Sequence, residues 1–284
     1  MARTMRIEST HTRVRKTLQN ALAILICVVF LFPLVWILLT SVKPSAEVFT
    51  SQVRLFPSRI TFDPWVEQIT SWDFMRSLRN SFTIALCNMV LSTVLGVAAS
   101  YGLARFQVPF HRMIMLLFLV TQMMPGSLLL TPLYLIFSNL KLLNSYPAPV
   151  LSIATGSIPF IVITMRPFFL SLPKSLDEAA RIDGCGALGA FLRIMLPVAR
   201  VGLITGLVFC FLHGWNDLVY SMTFNVKDVM RPLTANIYKF MDKYGTRWNS
   251  IMAYGMILVI PVLLIFIFLQ RYIIGGLTSG AIKE

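Results

Sequence analysis

SLDEAARIDGCGALGAFLRIMLP, residues Ser175–Pro197, is a charged, glycine-punctuated stretch lying between two long apolar segments. Ser175, followed three residues on by Glu178, makes a capping box, in which each side chain accepts a hydrogen bond from a backbone N–H at the other position. Asp177 and Glu178 in the first turn suit the positive end of a helix dipole, and Asp177 with Arg181 is an acid-first i,i+4 pair. Gly184 and Gly186 supply a stop and a turn. A second amphipathic piece, Leu188–Leu196, follows, and Pro197 punctuates the return to apolar sequence. The spacing predicts a helix, a glycine turn and a second helix. Ala179, Ala180 and Ile182 form a small-residue face beside Arg181 and Asp183. On physical grounds that face has two open uses: a docking surface for another protein's backbone, or one side of an interfacial helix covering its own bundle.

Outward from this stretch the chain is written for lipid. Of 284 residues, 56% are hydrophobic and 13% charged, with mean hydropathy +0.73; soluble domains carry about 25% charged residues. The prediction is an all-α integral membrane protein with six transmembrane helices. These fall near Leu18–Thr40, Asn80–Ala104, Met113–Phe137, Pro149–Met165, Val201–Tyr220 and Ile251–Leu269. At about 1.5 Å per residue, some 20 residues cross a hydrocarbon core of roughly 30 Å. The uncharged run Thr17–Val42 has 26 residues, too long for a signal-peptide core, and no small-residue cleavage site closes it. The organisation expected is a basic N-terminus (1–17), a first transmembrane helix (18–40) and an external loop (41–74). A main transmembrane domain (75–270) follows, carrying the charged loop 166–200 and ending in a short tail (271–284).

The formal net charge of +13 belongs to residues flanking apolar runs, so topology and lipid headgroups account for it and nucleic acid does not. The basic cluster before the first span and the short Arg105–Arg112 loop put both termini in the cytoplasm. Trp65 and Trp72, seven apart, suit either a short interfacial helix or an aromatic belt. Cys27, Cys87, Cys185 and Cys210 have no metal or redox spacing and read as buried structural thiols, with no metal site.

Candidate pathway residues are the in-span polar groups Asn88 and Gln122, with His213, Asn216 and Asp217 at the end of the fifth span. For Asn88 and Gln122 helix–helix hydrogen bonding competes with solute contact. A charge at bilayer centre costs about 2.5–3.5 kcal/mol on insertion scales. Asp217 therefore belongs at the boundary, as a helix cap, or facing a watery cavity. Pro125-Gly126, Pro132, Pro159 and Pro261 fall within spans, as static kinks or as hinges.

Resemblance adds to this reading. Glu178-Ala179-Ala180, Gly184 after three residues, then Ile194, Leu196 and Pro197 reproduce the EAA–x3–G–x9–I–x–LP signature. That signature belongs to permease subunits of binding-protein-dependent ABC importers. WDFMRSLRNSF (Trp72–Phe82), YGLARF (Tyr101–Phe106), HGWNDLVY (His213–Tyr220) and QRYIIGGLTSGAIKE (Gln270–Glu284) are similar to the carbohydrate-uptake subgroup, in particular to maltose-type second permeases. The resemblance implies a type I ABC importer permease fold in a bacterial or archaeal cytoplasmic membrane. It implies an ATPase-coupling role for Ser175, Asp177, Glu178, Ala179, Ala180, Arg181, Asp183, Gly184 and Pro197, and tail contacts from Gly280 and Lys283. The partners implied are a second homologous permease, two ATPase subunits holding ATP and Mg, and an extracytoplasmic substrate-binding protein facing the loop Ser221–Asn249. No cofactor is expected on this chain itself. It has no GxxxxGK[ST] loop and no HExxH or nucleophile set, so it is read as a permease rather than an enzyme. An ion-coupled secondary transporter is the alternative, and the scarcity of ionisable groups in the other spans counts against it.

Overall fold

Long apolar runs without interior helix breakers propagate as single helices, because each added residue gains a backbone hydrogen bond once the first turn exists. A computed structural model describes residues 10–48, 50, 54–242 and 245–278. The chain divides into two units, Met1–Ile69 with Phe240–Ile257, and Thr70–Lys239 with Leu258–Glu284.

In the first unit, α1 (Thr10–Ser41) runs through Pro33 and exposes nearly its whole apolar surface. Short helices α2 (Ser45–Val48) and α3 (Asp63–Thr70) follow. Trp65 Nε1 donates to Ser41 Oγ at 3.2 Å, tying α3 to the end of α1. Arg247 pairs with Glu67 at 2.9 Å, next in sequence to two short strands, Met241–Asp242 and Gly245–Thr246, that pair antiparallel. Trp65 and Trp72 do not share an interfacial helix: the chain breaks at Ser71 between them, and Trp72 opens the next element.

The second unit is built on α4 (Trp72–Arg105), which starts eight residues before the expected span. His111–Met123 (α5) and Gly126–Asn139, whose last ten residues are α6 (Leu130–Asn139), meet at a bend of 99°. The expected third span is therefore two pieces broken at Pro125-Gly126. Next comes α7 (Pro147–Ser171), which passes through Pro159, Arg166 and Pro167 without stopping. The expected end at Arg166-Pro167 is thus corrected to Ser171. Phe168 and Phe169, directly after Pro167, pack into the core and hold the helix together past the proline. The charged stretch gives α8 (Ser175–Ile182), α9 (Ala187–Ala190), a π-helical turn at Phe191–Met195 and α10 (Leu196–Val198). An 85° bend at Ala199 leads into α11 (Arg200–Trp215). The segment expected as an external loop is folded, with α12 (Val219–Phe224), α13 (Leu233–Asn236) and 3-10 turns between and after them. The last helix is α14 (Trp248–Thr278), shared between the two units. Among the described residues four helices are long and apolar enough to cross a membrane, and the two bent pairs bring the number to six if each is one span.

Packing centres on α4, α7 and α11. They approach through glycines: a Cβ on Gly96 would lie 2.7 Å from Ile161 Cβ, and one on Gly214 2.6 Å from the Cα of Ala85. Close backbone approach at small residues is the usual way membrane helices gain packing energy. Asn88 supplies a polar bond at the centre. Its Nδ2 donates to Ser157 Oγ at 3.2 Å and to the Cys210 carbonyl at 2.7 Å, and its Oδ1 accepts from Ser92. Nearer the start of α4, Asn80 donates to the carbonyls of Val229 and Arg231 and accepts from Tyr146 Oη. Ser81 accepts from Leu233 N–H. Of the four cysteines only Cys210 is buried; Cys27 and Cys87 face outward on α1 and α4, which corrects the expectation of buried thiols. A thiol behaves as a small hydrophobe, so an apolar surround suits it on an outward face as well as inside.

Candidate functional site

Two places in the second unit gather functional side chains, and α7 joins them. The first is a cavity of about 630 Å³ around the α5–α6 break. Gln122 of α5, His213 of α11, and Asn216 and Asp217 beyond it all line the wall, with Thr155, Gly156 and Tyr220. Four of the five residues singled out as pathway candidates thus converge. The fifth, Asn88, is fully buried and its amide is spent on α7 and α11. It reaches the cavity only through Ser157, whose Oγ lies 3.1 Å from His213 Nδ1. Gln122 Nε2 donates to the Gly156 carbonyl at 2.6 Å, which holds the broken helix against α7.

Asp217 both caps and lines. Its Oδ2 accepts from Ser221 N–H at 2.8 Å and Ser221 Oγ at 2.6 Å, and its Oδ1 from Tyr220 N–H at 3.2 Å. A carboxylate bonded to first-turn N–H groups stabilises the start of α12. Tyr220 then reaches across to donate to the Gly126 carbonyl at 3.3 Å, and a Cβ at Gly126 would lie 2.7 Å from that hydroxyl. The wall therefore offers amide, hydroxyl and aromatic groups, and one carboxylate already engaged by three donors. Such a lining suits an uncharged polar ligand, gripped by a few placed hydrogen bonds on an apolar surface. Thr155 and Tyr220 were not singled out by sequence; the hydroxyl of Tyr220, inside the quoted HGWNDLVY motif, was the available signal.

The second place is the α8 end. From Thr155 to Ser171 along α7 the rise is about 24 Å at 1.5 Å per residue. Ser175 does not cap α8. The Lys174 carbonyl accepts from the N–H of Asp177 and of Glu178, so Lys174 holds the cap position and Ser175 is the first helical residue. Pro173 fixes the entry one residue earlier than a serine cap requires, so the expected capping box is corrected. The other end is as expected: Gly184 has φ +77° and Cys185 N–H donates to the Ala180 carbonyl at 2.9 Å, the six-to-one bond of a Schellman stop. Pro197 lies within the helical run, and the turn toward α11 comes two residues later at Ala199.

Asp177 faces the bundle. Tyr101 Oη donates to its Oδ1 at 3.2 Å, and Arg105 Nε lies 3.2 Å from Oδ2, a charge contact whose angle falls short of a hydrogen bond. The side chains of Arg105 and Asp177 are 7% and 20% exposed, and Arg105 also donates to the Leu172 carbonyl. Ala180 is buried beneath them. Tyr101, Phe169 and Phe191 stack around the same point, with Tyr101 and Phe191 centroids 4.8 Å apart. The opposite face is open: Glu178, Ala179, Asp183 and Gly184 are exposed, as are Ile182 at 86% and Leu188 at 69%. The Arg181 side chain, Gly280 and Lys283 lie outside the described residues.

Residues 92–278 match the family described as binding-protein-dependent transport system inner membrane component, and the chain belongs to that family of ABC importer permeases. The chain is 31% identical to the diacetylchitobiose uptake system permease protein DasC of Streptomyces coelicolor, covering 93% of this chain and 96% of that one. It is likewise 31% identical to the sulfoquinovosyl glycerol transport system permease protein SmoH of Agrobacterium fabrum, covering 94% of each. Against the trehalose transport system permease protein SugB of Mycobacterium tuberculosis it is 32% identical, covering 89% and 92%. Among solved structures, a chain of a bacterial ABC transporter involved in the import of the acidic polysaccharide alginate superposes with a TM-score of 0.81. It has 22% identity and covers 94% of this chain and 99% of that one. The fold is that of a type I ABC importer permease, and the chain is a multi-pass membrane protein.

Proposed function

We propose that this chain is the transmembrane subunit of an ATP-driven importer and forms, with a second homologous permease, the path for a sugar or oligosaccharide. The observation that carries the reading is the two-faced α8 segment. Asp177 and Ala180 anchor one face to the bundle, while Glu178, Ala179, Ile182 and Asp183 stay open on the other, within the family's signature spacing. An ATPase subunit docks on the open face, and a binding protein delivers solute at the opposite membrane surface. ATP and Mg reside on the ATPase partners.

The polypeptide crosses six times in this reading, four times as straight helices and twice as bent pairs, with both termini cytoplasmic in a bacterial membrane. Arg105, Lys174, Arg193 and Arg200 gather at the α8 end, which supports a cytoplasmic assignment for it. The neutral polar cavity and the solutes named for the relatives support a glycoside or oligosaccharide cargo.

The test is co-purification of the full chain with the P-loop protein encoded beside it, followed by ATP-driven uptake of labelled oligosaccharides in proteoliposomes. Glu178→Lys and Gly184→Val are expected to lose both ATPase association and uptake. Persistence of both activities in both variants removes the docking assignment; uptake driven by an ion gradient without ATP removes the importer reading.

A further inference from the structure

A second cavity, of about 340 Å³, lies in the first unit, where α1 ends and α14 begins. Trp36, Thr40, Lys43, Glu47, Arg54 and Trp248 line it. Lys43 is 5% exposed, an unusual burial for a lysine, and its ammonium sits 5.0 Å above the Trp36 ring. One of its three N–H groups donates to the Arg54 carbonyl at 2.6 Å. Thr40 is 6% exposed, and its buried Oγ1 has no hydrogen-bond partner. Buried hydroxyls are normally paired, so the Thr40 hydroxyl in this cavity wall is free to bond a ligand that enters.

The charges in this wall are mixed. Lys43 and Arg54 are cationic. Glu47 is anionic: the Ser58 hydroxyl and N–H both donate to its carboxylate and hold its pKa below the usual range. A simple anion would meet Glu47, and a simple cation would meet Lys43 and Arg54. A zwitterion satisfies both. Trp36 near the end of α1 and Trp248 at the start of α14, both long apolar helices, suit the headgroup level of a membrane. The apolar residues leading up to the cavity, Val35 and Leu38, are exposed and offer a track for an acyl chain.

We infer that this cavity binds a zwitterionic membrane phospholipid, its phosphate against Lys43, Arg54 and the Thr40 hydroxyl, and its ammonium against Glu47 and the tryptophan rings. This goes beyond the transport reading and does not depend on the cargo. The full chain, purified with its co-assembling subunits into nanodiscs of equal phosphatidylethanolamine and phosphatidylglycerol, is released and weighed by native mass spectrometry. Phosphatidylethanolamine is expected to be retained over phosphatidylglycerol. Losing one charge-assisted bond in Lys43→Gln or in the exposed Arg54→Gln is expected to cut retention about tenfold, and Lys43→Arg is expected to keep it. Equal retention of the two lipids, or unchanged retention in both Gln variants, overturns the proposal. So does binding of soluble glycerophosphoethanolamine by lipid-depleted protein with the same Lys43 and Arg54 dependence, which would make the ligand a free solute rather than a membrane lipid.

Discussion

The two ends of the α4–α7–α11 bundle are held by different chemistry. At the α8 end a largely buried ion pair and an aromatic cluster fasten a short helix whose other face is open. At the cavity end neutral amides and hydroxyls bridge the helices, and the one carboxylate is spent on a cap. Charge contacts tolerate small movements because they weaken gradually with distance, whereas aligned neutral hydrogen bonds are lost over a few tenths of an ångström. The contacts at the α8 end therefore tolerate a small shift of the helix better than those at the cavity end do.

Substitutions that separate the ends from the bundle itself come first. Gly214→Val forces a side chain into the backbone of Ala85 and is expected to cost about 3 kcal/mol, read as a large fall in melting temperature in detergent. Arg105→Met, which removes the charge facing Asp177 and leaves the Tyr101 hydroxyl bonded to it, is expected to cost about 2 kcal/mol. In a double-mutant cycle with Asp177→Asn, a coupling near zero would show that the anchor is packing rather than charge. Asn88→Ala strips one bond from each of α7 and α11 and is expected to cost about 1–2 kcal/mol, with the cavity end affected more than the α8 end in hydrogen exchange. Gly184→Ala meets no neighbour but must adopt φ +77°, an expected cost of about 1 kcal/mol. If α8 docks an ATPase subunit as proposed, the change should lower ATP-driven uptake as well as the melting temperature. Asp217→Asn keeps a good capping acceptor, so its effect on stability is expected within about 0.5 kcal/mol; uptake at the unsubstituted rate would show that the charge itself plays no part in transport.

How much of this was legible depended on distance along the chain. The first, second, fourth and sixth of the expected spans are long apolar runs, and each coincides with a single helix long and apolar enough to cross a membrane. The break in the third was not legible, because proline by itself does not decide it. Pro33, Pro159 and Pro261 sit inside continuous helices, while Pro125 precedes a 99° bend. Packing keeps α7 straight, since it is buried on several faces around Pro159, but α1 runs through Pro33 while exposed, so packing alone does not separate the two cases. At the α8 stretch the glycine stop was legible because positive φ is a local demand. The capping box was not, since Pro173 and Lys174 took over the entry. The network of Asn88 joins residues 69 and 122 positions away, a link no local pattern carries. That His213 and Gln122 share one cavity rests on the same kind of long-range closure.

The meeting of Gly214 with Ala85 has a mechanical consequence. Two backbones in contact with no side chain between them have nothing soft to compress, so a tilt of α11 would pivot at that point. It lies at one end of α11, beside the cavity, and the arm from Gly214 back to Arg200 is about 21 Å long. A tilt of about 5° around it carries the Arg200 end about 2 Å while His213 scarcely moves. Spin-label distances to residue 200 and to residue 213, taken with and without nucleotide on the assembled transporter, would measure the two arms; equal displacement at both would mean that α11 slides rather than levers.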